Sequence, residues 1–274
     1  MSRKNTLLIL TIICAVFVLA MSACQLGQTQ PKLEWDPSKE VQLIVVSDSS
    51  QFPGILPTYQ DERMENYIPE GILFGDGRIV WVEYVYEDGI TSRFMKQGYL
   101  STEQIQALLQ QFVSSGFFSW KDQYSGSFIE DGPPSKSIIV FLRDRPKSVV
   151  VSNSPPPQGF NELFSTISSG AGVEGQDYLP DRANLRAYRQ FNEWSSNQKS
   201  QINSWPAEDF GFSLAELKEE TGMVRGKCVD GEVLAFAWQV INANPQRPLV
   251  EEKGVLFLLT LQIPGLSNYN EHNP

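Results

Sequence analysis

Asp122 and Asp131, which bracket Tyr124 and Phe128, come nearest in type and spacing to a chemical site in this chain. Two carboxylates in differing surroundings can act as general acid and base on a glycosidic bond, and Glu83 is a further acid such chemistry could use. No periodicity holds the pair together, and the chain has 32 acidic residues, so solvated loop acids are the plainer account. Trp120 and Tyr124 offer an aromatic surface of the kind sugars and peptides use, with core packing as the ordinary alternative. Trp194 and Trp205, flanked by Asn and Ser in the polar stretch Asn192 to Asp209, are expected to be partly exposed on the edge of a loop. The candidate binding surface is therefore Trp120, Tyr124, Asp131, Trp194 and Trp205, with no catalytic residue assigned.

Other chemistry is scarce. His272 is the single histidine and lies near the end of the sequence, so Ser-His-Asp, Cys-His and HExxH sets are absent and no metal site is expected. Gly170-Ala171-Gly172-Val173-Glu174-Gly175 matches G-x-G-x-x-G, but it follows a predicted helix and lacks the strand-turn-helix setting of a dinucleotide site, so no cofactor is expected. Asp76-Gly77-Arg78 reads as a hairpin turn rather than a ligand-holding pair. Cys228 is expected to be a small buried hydrophobe beside Val229.

At the other end of the sequence, Arg3 and Lys4 precede an apolar run from Leu7 to Met21, and Met21-Ser22-Ala23-Cys24 follows. This order reads as a secretory signal ending in a lipobox, with residues 1–23 removed and Cys24 acylated. Two acyl chains suffice for stable anchoring. The expected location is the bacterial cell envelope, lipid-anchored and extracytoplasmic; an uncleaved anchor and ordinary secretory cleavage are the alternatives. Residues 24–40, with Pro31 and Pro37, read as a tether. Without residues 1–23 the 22 basic residues fall to 20 against 32 acidic ones, a formal charge of −12. That balance argues against nucleic acid and anionic headgroups as direct partners.

The elements that would position these residues are legible in part. Ser101-Thr102-Glu103-Gln104 has the capping-box pattern, and Ile105, Leu108, Leu109 and Phe112 then repeat at helical spacing up to Gly116. Phe160, Leu163, Phe164 and Ile167 repeat that spacing between Pro157 and Gly170. A hairpin-like stretch precedes each helix, Ile79 to Lys96 and Ser137 to Ser152, and Val41 to Ser47 adds a strand. The expected fold is α+β: an antiparallel sheet with two helices on one face, in the order β-β-α-β-β-α over 41–175, followed by a smaller α+β subdomain over 176–274. In that second part Leu185 to Phe191 and Met223 to Val229 read as strands, and Ser213 to Glu216 is another capping box. Leu234 to Ile241 is assigned to a helix on length and the preceding Asp230, and Gly254 to Ile263 to a strand covered on both faces.

Ile72-Leu73-Phe74-Gly75-Asp76-Gly77-Arg78-Ile79, Gly98-Tyr99-Leu100, Phe117-Phe118 with Trp120 and Tyr124, and Asp131 ahead of a strand together make a pattern. It resembles uncharacterised bacterial envelope lipoproteins, many of which carry a Y/FGDGR turn, a G-x-L approach to a helix and an aspartate before the next strand. The resemblance covers residues 41 to 266 and includes Tyr178-Leu179-Pro180 and Ile263-Pro264. It implies a shared fold and no activity. The expectation is thus a membrane-tethered, non-enzymatic binding module, joined to the membrane through lipidated Cys24 and open to an envelope protein partner. A carboxylate-based envelope glycan hydrolase and an inhibitor-like protein that binds an extracytoplasmic enzyme are the alternatives.

Overall fold

The apolar run Leu43-Ile44-Val45-Val46 can be buried along its whole length only if both faces of its sheet are covered. In the computed structural model this run is the heart of β1 (Gln42–Asp48), which lies between β2 (Gly71–Phe74) and β6 (Ser135–Phe141), antiparallel to both. The described residues are 32–49, 66–87, 90–126, 135–144, 146–190, 202–217, 226–245 and 247–267. Asp131, Trp194 and Cys24 lie outside them.

The first sheet has eight strands in the order β5-β7-β6-β1-β2-β3-β4-β8. Its remaining members are β3 (Arg78–Glu87), β4 (Ile90–Tyr99), β5 (Gln123–Ser125), β7 (Pro146–Ser152) and β8 (Gln176–Asp177). Both expected hairpins are present, as β3–β4 and β6–β7, and a helix follows each in sequence. The strands β2, β5 and β8 are additions to the expected β-β-α-β-β-α order, and β1 and β2 together stand between the two hairpins.

The helices α1 (Thr102–Ser114) and α2 (Phe160–Ser168) cover one face. Ser101 caps α1 with both hydrogen bonds of the capping box, and Ile105, Leu108, Leu109 and Phe112 are the buried stripe. They meet Ile44, Val46, Leu73, Ile79 and Ile138. Alternate residues Val45, Ile72, Val80 and Val82 point the other way, as a period of two requires. Leu43 breaks the alternation by sharing the helix-side core with Ile44, and a register irregularity between Gln42 and Ile44 accounts for it.

The second face packs against a five-stranded sheet in the order β10-β12-β13-β9-β11. Its strands are β9 (Ala183–Gln190), β10 (Asn203–Ser204), β11 (Lys227–Val229), β12 (Leu249–Glu252) and β13 (Val255–Gln262). A short helix, α3 (Ala207–Phe210), is followed by a single 3-10 turn at Leu214–Glu216, where the Ser213 capping box forms in full without growing into an α-helix. Buried Leu214 and Leu217, three apart, suit that tighter turn. The ambiguous Leu234 to Ile241 stretch is helical, within α4 (Gly231–Ala243), which packs against β4 of the first sheet and β9, β12 and β13 of the second.

Residues 176–274 thus supply the second sheet and α4, while Gln176–Asp177 pairs with β4 of the first. Leu33–Pro274 form one compact unit. Among the described residues no helix is long and apolar enough to cross a membrane.

Candidate functional site

One end of the first sheet carries a group of polar side chains that the sequence does not advertise. Asp48 closes β1, and its register partner Lys136 stands in β6. Glu70 immediately precedes β2, and Tyr84 and Arg93 face one another across β3 and β4. Tyr84 Oη donates to Glu70 Oε1 at 3.0 Å. Arg93, fully buried, donates through Nε to Asn242 Oδ1 at 2.6 Å and through Nη1 to the Asn66 carbonyl at 2.8 Å. Asn66 in turn gives its amide to the Leu259 carbonyl and accepts from the Leu261 N–H, so it fastens β13 to the first sheet.

Burial sets the electrostatics here. Loss of water pushes the Glu70 carboxyl up to about 7; the Tyr84 hydrogen bond opposes that, the Asp48 charge adds to it, and Arg93 and Lys136 oppose it. Burial likewise raises the Tyr84 and Tyr67 phenols, with Ser47 pulling Tyr67 back through a hydrogen bond. The Arg93 guanidinium is lowered to about 10 by burial and remains charged at neutral pH.

Beside this group opens a cavity of about 590 Å³. Asp48 and Lys136 line it as an ion pair, Nζ to Oδ2 3.3 Å, with the carboxylate 8% exposed and the lysine 47%. Val151, Pro155, Pro156 and Phe160 supply its apolar lining, and Asn153, Ser154 and Asn161 the neutral polar groups. The loop is held by close backbone approach: Gly126 N–H donates to the Ser152 carbonyl, and a Cβ at Gly126 would stand 1.7 Å from the Asn153 carbonyl oxygen. Asn153 takes φ +46°, a left-handed conformation that asparagine tolerates better than most residues.

The sequence-derived candidates are placed otherwise. Trp120 is half-buried against Phe117 and Phe160, ring centroids 5.5 and 6.4 Å away, which is core packing. Tyr124, on β5, is half-buried and accepts the Lys121 N–H at its Oη. Asp122 forms an ion pair with Lys147, whose ammonium also donates to the Trp120 carbonyl. Glu83 sits on β3, five strands from β5, or about 24 Å at the usual strand spacing, so it does not converge with Asp122.

Trp205 is 5% exposed, which overturns its expected partial exposure. Its polar sequence neighbours mislead because the ring turns inward, enclosed by Phe210, Phe212 and Phe236 at centroid distances of 4.9 to 5.7 Å, with Nε1 donating to the Phe212 carbonyl. Phe210 and Phe212, only five and seven residues on, were the available sign. Cys228 is exposed rather than buried, because β11 is an edge strand and Val229 takes its inward position.

The glycine motifs have structural roles. Gly170 and Gly175 lie against the Trp81 ring, and a Cβ would come within 2.8 Å of that ring at the first and 2.4 Å at the second. Gly77 has φ +93°, and Asp76 Oδ1 accepts the Arg78 N–H at 3.0 Å, so Asp76-Gly77-Arg78 is a turn. At Gly75 a Cβ would stand 1.8 Å from the Asp36 carbonyl oxygen. Among the described residues no group of three His, Cys, Asp or Glu side chains gathers to hold a metal.

No protein-family model matches the sequence, and neither a curated protein nor a solved structure matches it.

Proposed function

We propose that the protein is a membrane-tethered, extracytoplasmic binding module, anchored by lipid at Cys24, whose ligand site is the cavity beside the Asp48–Lys136 pair. The cavity carries this proposal: its volume falls within the range of small-molecule sites, and its lining combines apolar wall, neutral hydrogen-bonding groups and one ion pair. The signal-like segment before Cys24 and the resemblance of the Phe74 to Ile79 turn to envelope lipoproteins support the tether and the compartment. Of the carboxylates named for the hydrolytic alternative, Asp131 lies outside the described residues, Asp122 is ion-paired with Lys147 and Glu83 is remote from Asp122.

Two experiments test it. A thermal-shift screen of small polar solutes should find at least one that stabilises the wild type and fails with Asn161→Trp, which fills the cavity. Stabilisation that survives the filled cavity would move the site elsewhere. Metabolic lipid labelling should mark the wild type and not Cys24→Ser, and equal labelling of both would contradict the anchor.

A further inference from the structure

The cavity holds its two charged groups unequally. Asp48 is almost wholly enclosed, whereas Lys136 is half in solvent. Lys136 also makes a second contact in the same pose, since its Nζ lies 5.0 Å from the centroid of the Phe164 ring, within cation–π range. It can therefore leave the carboxylate without losing all favourable contact. The carboxylate has no such freedom, because it ends a central strand.

Behind it stands Glu70, and the nearby Arg93 spends Nε and Nη1 on the neutral acceptors Asn242 and Asn66. An anionic ligand would meet the Asp48 carboxylate, the acidic side chain in the cavity lining, with Glu70 across the sheet. A cationic one would meet it with Lys136 able to withdraw, and the acidic balance of the whole chain raises the local concentration of cations.

Resting on the cavity as the ligand site, we propose that it takes a small organic cation, a primary ammonium on a short body, which replaces Lys136 at Asp48. The ammonium would sit in hydrogen-bond reach of the Asp48 carboxylate, and Val151, Pro155 and Phe160 would cover the body. Asn153 and Asn161 supply the hydrogen bonds for any polar group it carries.

A linked proton makes the exchange measurable. After replacement the site holds the ligand charge and Lys136 together, one positive charge more than before. The groups that act on Glu70 are Tyr84 from β3, Asp48 from β1, Arg93 from β4 and Lys136 from β6. Added positive charge favours its carboxylate, so binding near pH 7 releases protons from a group that is then partly protonated.

The test is calorimetry on the full-length protein in detergent at pH 7, with two matched pairs of probes. The pairs are 5-aminopentan-1-ol against 1,5-pentanediol, and glucosamine against glucose; they separate an aliphatic body from a sugar body. At least one ammonium probe should bind roughly tenfold or more tightly than its neutral counterpart, the scale of a hydrogen bond to a charged group. Its heat should differ between phosphate and Tris buffers in the sense of proton release. Asp48→Asn should abolish the preference.

Lys136→Met retains an apolar stem over Phe164 and removes the competing amine, so it should tighten ammonium binding by about tenfold. A purely structural ion pair would predict the reverse, and because Lys136 is half exposed this variant remains informative even if Asp48→Asn fails to fold. Equal binding of ammonium and neutral probes, or weaker ammonium binding by Lys136→Met, would overturn the cation while leaving the cavity as a site. Absence of binding by all four probes would also overturn it, and the Asn161→Trp screen would then decide the cavity independently.

Discussion

The two faces of the eight-stranded sheet are held by different means. On the helix side, α1 and α2 press an apolar stripe onto the strands, with Phe112 and Phe117 fully buried edge to face at 5.1 Å. Toward the second sheet, the apolar core is interrupted by Asn66, Arg93 and Asn242, linked by directional hydrogen bonds, and by Glu70, which accepts from Tyr84. The first face tolerates changes in detail so long as volume is kept. The second depends on each partner being present, because an orphaned buried donor or acceptor carries its full desolvation cost. The cavity itself opens on the helix side, where Val151 and Phe160 of that core line it, and the polar group stands across the sheet from its Asp48–Lys136 pair.

Substitutions on each face should expose this difference. Phe112→Ala removes the most volume from a site with no exposure and should cost about 3–5 kcal/mol in urea unfolding, while Phe112→Leu should recover much of that. Asn66→Ala leaves the Leu259 carbonyl and the Leu261 N–H without that partner and should cost about 2–4 kcal/mol, with no recovery by Asn66→Leu. Recovery by an apolar residue there would erase the distinction between the faces.

Glu70 sharpens the comparison through pH. Its folded carboxyl, at about 7, is raised above the ordinary 4.5, so the folded state holds the proton more tightly. Its contribution is fully present below about 4.5 and is lost as pH rises through about 7, a change on the order of 3 kcal/mol. Glu70→Gln should flatten the stability profile across that window; an unchanged profile would mean Glu70 does not titrate there. The smallest effect belongs to the helix side: Ser101→Ala removes a cap hydrogen bond and should cost about 1 kcal/mol, independent of pH between 5 and 8.

These differences also explain what could be read in advance. The α1 cap and stripe lie within about a dozen residues of each other, so periodicity and capping chemistry reveal them. The hairpins β3–β4 and β6–β7 are similarly local. The polar group is built from contacts at sequence separations of 149 for Arg93 and Asn242 and 193 for Asn66 and Leu259, which no local pattern encodes. Asp48 and Lys136 meet only because β1 lies beside β6. The Trp205 error has the same origin, since Phe236 completes its cage from a distant helix. Trp205 and Trp120 stand out in the sequence as aromatic residues among polar ones, whereas the cavity lies beside ordinary-looking strand ends.

The most direct test is a titration of the full-length protein, labelled at asparagine side-chain amides, with the tightest-binding solute. The account predicts that the Asn153 and Asn161 amides, which line the cavity, shift progressively with ligand, while Asn242, held by Arg93 and the Trp238 carbonyl, moves far less. Saturable binding that leaves Asn153 and Asn161 unmoved would contradict the cavity as the ligand site.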